Sequence, residues 1–304
     1  MKHILKLLFL ISICAILDAC SNPDILDPRE ESIEIINGFN VRWRSQITES
    51  QKKIVTDILN NMVYIEGQTF VMGATPEQKG YARNNEYPLI HVRLSDYYIC
   101  KYEVSDEQYR GLVSWASQSS SYQFVTWKEW KDFISVLKDM TGLPFSLPTE
   151  AQWEYAARGG KLSKNYIYPG SNNLDEVNSF TYNSGSTHAN ELGIFNMADL
   201  KSEWCLDYYE EYPTSQTIYF DRLIKTGESH VVRGGSYNCS GHSSKYLNTR
   251  MSDMYGYFKD DSSSALDRII DKRYCRVTAR SYYYESEYGN RNIGCRLVIN
   301  SKQN

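Results

Sequence analysis

The chain lacks the short motifs that announce common chemistries. It has no glycine-rich phosphate loop, no His-Glu-x-x-His and no Cys-x-x-Cys, which leaves nucleotide hydrolysis, zinc proteolysis and thioredoxin-type exchange without a foothold. Positive charge is also short. Lys and Arg number 33 against 37 Asp and Glu, so no basic field exists to draw nucleic acid. Only five histidines are present, and His91, His188, His230 and His242 are scattered, as surface or satisfied polar residues are. Beyond the N-terminus no apolar run reaches the length of a membrane span.

The N-terminal run has a meaning of its own. Lys2 and Lys6 precede a mostly apolar stretch from Leu7 to Leu17, which is too short to span a bilayer and reads as a signal peptide over residues 1–19. The ending Leu17-Asp18-Ala19-Cys20 resembles a bacterial lipobox. It implies a lipid on Cys20 and a cell-envelope protein held on the membrane at its periplasmic or outer face; the alternative is an ordinary secretory signal. Loss of Lys2, Lys6 and Asp18 leaves 31 basic against 36 acidic residues, a net of −5. Of seven cysteines, Cys14 goes with the signal and Cys20 would carry lipid. Cys100, Cys205, Cys239, Cys275 and Cys295 remain, an odd number in an oxidising compartment.

Residues 20–45 hold Pro23 and Pro28 among acidic side chains without sustained periodicity and read as a lipid-anchored tether, with the folded domain running from 46 to 304. Four helix starts follow, each a hydroxyl residue three positions before Gln or Glu: Thr48/Gln51, Ser105/Gln108, Thr126/Glu129 and Thr149/Gln152. The first helix presents Ile54, Val55, Ile58, Leu59 and Met62 on one face, and the third presents Trp127, Trp130, Phe133, Ile134 and Leu137. Strand-like alternation marks "MVYIEGQTFVMG" and "HVRLSDYYICKYEV". Long stretches rich in Asn, Ser, Gly and Tyr separate these elements. The expected fold is α+β, a single domain low in regular secondary structure.

At "MVYIEGQTFVMGA", "YYICKYEVSDEQY", "LPFSLPTEAQWEYAARGG", "EWCLDYY", "VVRGGSYNC", "YCRVTAR" and "NIGCRL" the chain resembles the formylglycine-generating enzyme (sulfatase-modifying factor) family. The resemblance implies a C-type-lectin-like fold. It also implies an oxidase that converts a sulfatase cysteine to formylglycine, using oxygen and copper(I) on two thiolates, although the family includes non-oxidase binding proteins and subunits of secretion and gliding machines. Carried over by position, Ser236 matches the active-site serine and Cys239 the first copper cysteine. The second cysteine's place, five residues on, is Ser244. One hydroxyl and one thiolate do not suit copper(I) as two thiolates do, and His242 between them would not reproduce the site. Cys275 is a candidate displaced partner beyond an insertion at about 245–270, and a structural role is the alternative.

In "NMADLKSEW", Asp199 and Leu200 replace the family's Gly-Asn pair, which alters the loop that supplies calcium ligands in some members; Asp199 and Glu203 remain as possible oxygen donors. A disulfide between Cys205 and Cys275 is expected, because both lie in family-like segments and the compartment is oxidising. Near the C-terminus Tyr282, Tyr283, Tyr284, Tyr288 and Asn290 form a cluster of the composition found on recognition surfaces, with core packing as the alternative for any one tyrosine. The sequence therefore favours a lipoprotein that binds a protein or glycan without a cofactor. Its rivals are a copper oxidase using Cys239, Cys275 and Ser236 on a sulfatase, and a machine subunit.

Overall fold

The computed structural model describes residues 32–301 apart from 45, 79, 114–123, 179–187, 199–200, 236–273, 285–288 and 291. The signal segment, Cys20, Asp199, Leu200, Ser236, Cys239, His242, Ser244 and Tyr288 therefore lie outside the described residues.

In chain order the described elements begin with β1 (Ser32–Ile36), β2 (Phe39–Trp43), α1 (Glu49–Asn60), β3 (Met62–Ile65), β4 (Thr69–Met72), β5 (Ile90–Arg93), β6 (Tyr97–Cys100) and α2 (Asp106–Leu112). They continue with α3 (Trp127–Thr141), β7 (Phe145–Ser146), α4 (Glu150–Ala157), α5 (Leu174–Val177), β8 (Ser202–Tyr208), β9 (Ile218–Phe220), β10 (Ser229–Arg233), β11 (Arg280–Tyr284), β12 (Ile293–Gly294) and β13 (Val298–Asn300). The architecture is α+β, as the sequence implies.

All four capping boxes form. The side chains of Thr48, Ser105, Thr126 and Thr149 accept from the N3 amides of α1, α2, α3 and α4, and each N3 side chain reaches back to the cap amide. These reciprocal bonds satisfy donors that a helix start otherwise leaves open. The apolar stripes turn inward: Val55, Ile58 and Leu59 of α1, and Trp130, Phe133, Ile134 and Leu137 of α3, are buried in one core cluster.

Three further sheets complete the fold beside the β1–β2 hairpin. The order β3-β6-β13-β7 sets β13 between β6 and β7, antiparallel to both. The order β11-β10-β8-β12 forms the second sheet, with β12 parallel to β8. The third is β4-β5-β9, with β9 parallel to β5.

The tether reading fails from residue 32 onward. Ile36 pairs with Phe39 across a two-residue turn in which Asn37 and Gly38 both take positive φ, 48° and 82°, the geometry that closes a tight hairpin. Strand β2 then alternates buried Phe39, Val41 and Trp43 with exposed Asn40 and Arg42. The buried set joins the core beside α1 and α3, Asn37 Nδ2 donates to the Leu59 carbonyl at 2.8 Å, and Trp43 Nε1 donates to Glu34 at 2.8 Å. The folded unit thus includes the hairpin, ahead of the boundary drawn at 46. Trp43→Ala should cost about 3–5 kcal/mol in denaturant unfolding, the usual loss for a large aromatic in a packed core. In a tether the same change would leave the unfolding midpoint unmoved.

Candidate functional site

The motif segments are built around four arginines that are fully buried: Arg233 of "VVRGG", Arg276 and Arg280 of "YCRVTAR", and Arg296 of "GCRL". Each meets a buried carboxylate. Arg280 grips Glu150 with two bonds of 2.8 Å. Arg296 grips Glu203 at 2.6 to 3.0 Å. Arg233 pairs with Glu154, and Arg276 with Glu86. Burial alone would raise the Glu86 carboxyl, but the bond and charge of Arg276 hold it below its ordinary range.

The remaining donors close irregular backbone. Arg233 donates to the Thr278 carbonyl, Arg280 to those of Asn85 and Glu210, and Arg296 to those of Cys100 and Phe195.

Glu203 is committed to this frame. Both of its oxygens face Arg296, and Oε2 also accepts from Trp153 Nε1 at 2.7 Å. A carboxylate so committed does not fit a calcium site, which needs free oxygen donors.

The expected disulfide is absent: Cys205 and Cys275 are separate buried thiols. Cys205 packs in the cluster around α4 and β10, whereas Cys275 packs with Tyr168, Leu174, Val177 and Ala198. Burial first, then the Glu150 carboxylate, pushes the Cys205 thiol well up, so it stays protonated and unreactive. Cys275 lies near the catalytic-looking segment in another way. A Cβ at Gly235 would run into its sulfur, so the glycine before Ser236 is there to admit Cys275.

The tyrosine run divides by strand alternation. Tyr283, paired with His230 in the sheet, is 9% exposed and packs edge-on against Trp204 at 5.8 Å between ring centres. It is a core residue, and so is Asn290, which is buried, bonds to Tyr283, and accepts the Asn292 amide at 2.9 Å. Neither offers itself to a ligand, which corrects their assignment as binding residues. Tyr284 is 42% exposed and meets half-buried Tyr282 edge-on at 5.8 Å. Tyr282 in turn meets Tyr209 at 4.7 Å.

Tyr209, which periodicity alone does not single out, completes the cluster. The Arg280 guanidinium lies 4.7 Å from its ring centre and 3.9 Å from that of Tyr212, so the ion pair with Glu150 braces the tyrosines from below. The Tyr209 hydroxyl donates to Glu211 at 3.0 Å, and burial pushes its pKa up to about 12. The arrangement presents aromatic faces on a rigid base with a carboxylate at the rim.

Beneath it, Asp207 accepts from the amides of Glu150 at 2.8 Å and Ile224 at 3.1 Å. Burial, then the nearby Glu150 charge, raises it to about 7. His230, stacked on Trp127 at 3.7 Å, is lowered by burial to about 4 and is neutral at pH 7.

Two outcomes follow from these partners. Glu150→Gln leaves Arg280 without its anion and should destabilise the fold by about 3–5 kcal/mol in urea unfolding, the usual cost of breaking a buried pair from one side. For Asp207, a folded pKa above the unfolded value means that its contribution is fullest at low pH and is lost as pH rises toward about 7. The stability of Asp207→Asn relative to the parent should therefore climb between pH 4 and 7, read from paired thermal melts, with His230 titrating alike in both proteins.

Comparison with known proteins agrees with this construction. A family model described as the sulfatase-modifying factor enzyme 1-like domain matches residues 47–300. The chaperone protein LppX of Paenibacillus barcinonensis is 26% identical over 234 residues, covering 57% of this chain and 79% of LppX. The formylglycine-generating enzyme of Streptomyces coelicolor is 34% identical over 117 residues, so the chain spans only 36% of that enzyme, in a match covering 31% of this chain. Among solved structures, Treponema denticola variable protein 1 superposes with a TM-score of 0.56 at 17% identity, covering 90% of this chain and 99% of that one, which is a likeness of fold. With a family model matched along nearly the whole described length, and the motif arginines buried as the frame of that fold, the chain belongs to the sulfatase-modifying factor enzyme 1-like family.

Proposed function

We propose that this protein is a lipid-anchored protein of the cell envelope whose sulfatase-modifying factor domain binds a protein or glycan partner and does not oxidise it. One observation carries the reading: Tyr209, Tyr282 and Tyr284 form an aromatic cluster, open to solvent at Tyr284 and held rigid by Arg280. Rigid aromatic side chains give contact area at low entropic cost. Ser244 in place of the second copper cysteine supports the same reading, as does the likeness to a protein named as a chaperone.

A second reading, the copper oxidase on a sulfatase, is favoured by the Cys275 sulfur packed on Gly235, one residue before Ser236. Copper(I) would need the thiolates of Cys239 and Cys275 together, and Cys275 is fully buried.

One experiment separates the two. Parent and Cys239→Ser proteins are titrated with copper(I) against a competing chelator and incubated with a peptide bearing a sulfatase cysteine motif. The binding reading expects no stoichiometric high-affinity copper and no change in peptide mass. Copper-dependent conversion that disappears in Cys239→Ser would install the oxidase. Anchoring is tested separately: Cys20→Ala should abolish labelling by an acyl-chain probe, and equal labelling of both forms would remove the lipid from the account.

A further inference from the structure

The charges around the tyrosine cluster select its occupant. The Tyr209 amide donates to the Ser229 carbonyl at 2.7 Å, and Ser229 pairs with Tyr284, so Tyr209, Ser229 and Tyr284 lie at one level of the sheet. The chain neighbours at this level are acidic: Glu210 and Glu211 follow Tyr209, and Glu228 precedes Ser229, all three exposed. Lys225 lines the same hollow as Glu210, together with Asp221 and the buried Arg222. No described cation forms an ion pair with Glu211 or Glu228.

Two of the three rings carry no cation from the described residues. Arg280 occupies faces of Tyr209 and Tyr212 from inside, while no cation of a described residue lies over Tyr282 or Tyr284. Elsewhere the protein already sets its own cations on tyrosine faces, with Arg83 at 4.7 Å from the Tyr274 ring centre and exposed Lys164 at 5.8 Å from that of Tyr166. An aromatic face attracts a cation through its quadrupole, and nearby carboxylates strengthen the preference.

Strand β11 also lies at the end of its sheet among the described strands. An extended segment lying along that edge would meet Tyr282 and Tyr284 at alternate positions, the spacing of side chains on one face of a strand.

We propose that Tyr209, Tyr282 and Tyr284, rimmed by Glu210, Glu211 and Glu228, receive a basic segment of a partner protein, whose lysine or arginine side chains lie on the exposed rings. The inference rests on the binding reading above and adds the chemical class of the partner.

The test uses the full-length protein and a fluorescent peptide of Lys and Arg spaced by Gly and Ser, with a Glu-containing counterpart and a neutral oligosaccharide as competitors for the class. Polarisation should show binding of the basic peptide only, weakening as salt rises because the rim is exposed. Tyr284→Ala should weaken it by roughly five- to thirtyfold, the range for one well-placed aromatic contact with a cation, while Tyr284→Phe retains it. Glu211→Gln should weaken it and flatten the salt dependence. Tyr284 is exposed, so its variants keep the parent melting temperature, and a loss of binding reports the surface.

Equal binding of the acidic peptide, or no effect of Tyr284→Ala, would overturn the inference. Binding of the oligosaccharide alone would overturn the partner class and leave the binding reading standing. Copper-dependent oxidation with no binding of any probe would remove both.

Discussion

The fold depends on pairing buried guanidinium groups with buried carboxylates. Arg233, Arg276, Arg280 and Arg296 are sealed from water, and an unpaired charge in such a place costs several kcal/mol. Glu150 and Glu154 come from α4, Glu203 from β8, and Glu86 from the short turn at Asn84–Glu86, so each pair joins segments distant in sequence. The pairs answer a second need. A chain with this much irregular backbone has carbonyls that no helix or ladder satisfies, and a buried carbonyl left open is costly. In Arg233, Arg280 and Arg296 the planar fork bonds a carboxylate and also reaches carbonyls, supplying hydrogen bonds that regular secondary structure does not.

That dual role explains what the motifs report. "VVRGG", "YCRVTAR", "EW" and "GCRL" carry the resemblance to an oxidase family, yet their arginines and Glu203 are committed to buried ion pairs inside the protein. A chain can keep all of these segments, and the fold with them, whatever becomes of a second cysteine at position 244. Membership of the family is therefore evidence of architecture first. Chemistry has to be sought in the side chains that the frame leaves over.

Legibility in the sequence followed the range of the interaction. The capping boxes are contacts across three residues, and all four were readable; so were the stripes of α1 and α3, which depend on helical period alone. The hairpin was legible too, in Asn37-Gly38 flanked by Ile35-Ile36 and by alternating Phe39, Val41 and Trp43, but the acidic, proline-containing stretch ahead of it drew the whole segment into a tether. The tyrosines needed the period of two: within β11, Tyr283 had to face opposite to Tyr282 and Tyr284, although composition treats the three alike. Tyr209 and Arg280 are far apart in sequence, and no local signal joins them. The Cys205–Cys275 pairing failed for the same reason, since shared motif character says nothing about which core cluster a thiol enters.

The packing of Cys275 on Gly235 has a consequence for how this protein can vary. Gly235 and Cys275, far apart in sequence, are packed so closely that no side-chain carbon fits at 235 without displacing the sulfur. A larger residue at 235 would need a smaller one at 275, because a packed interior leaves neither room to spare. The two positions are therefore expected to vary only as a pair, which ties the "VVRGG" and "YCRVTAR" segments to each other in descent as well as in space.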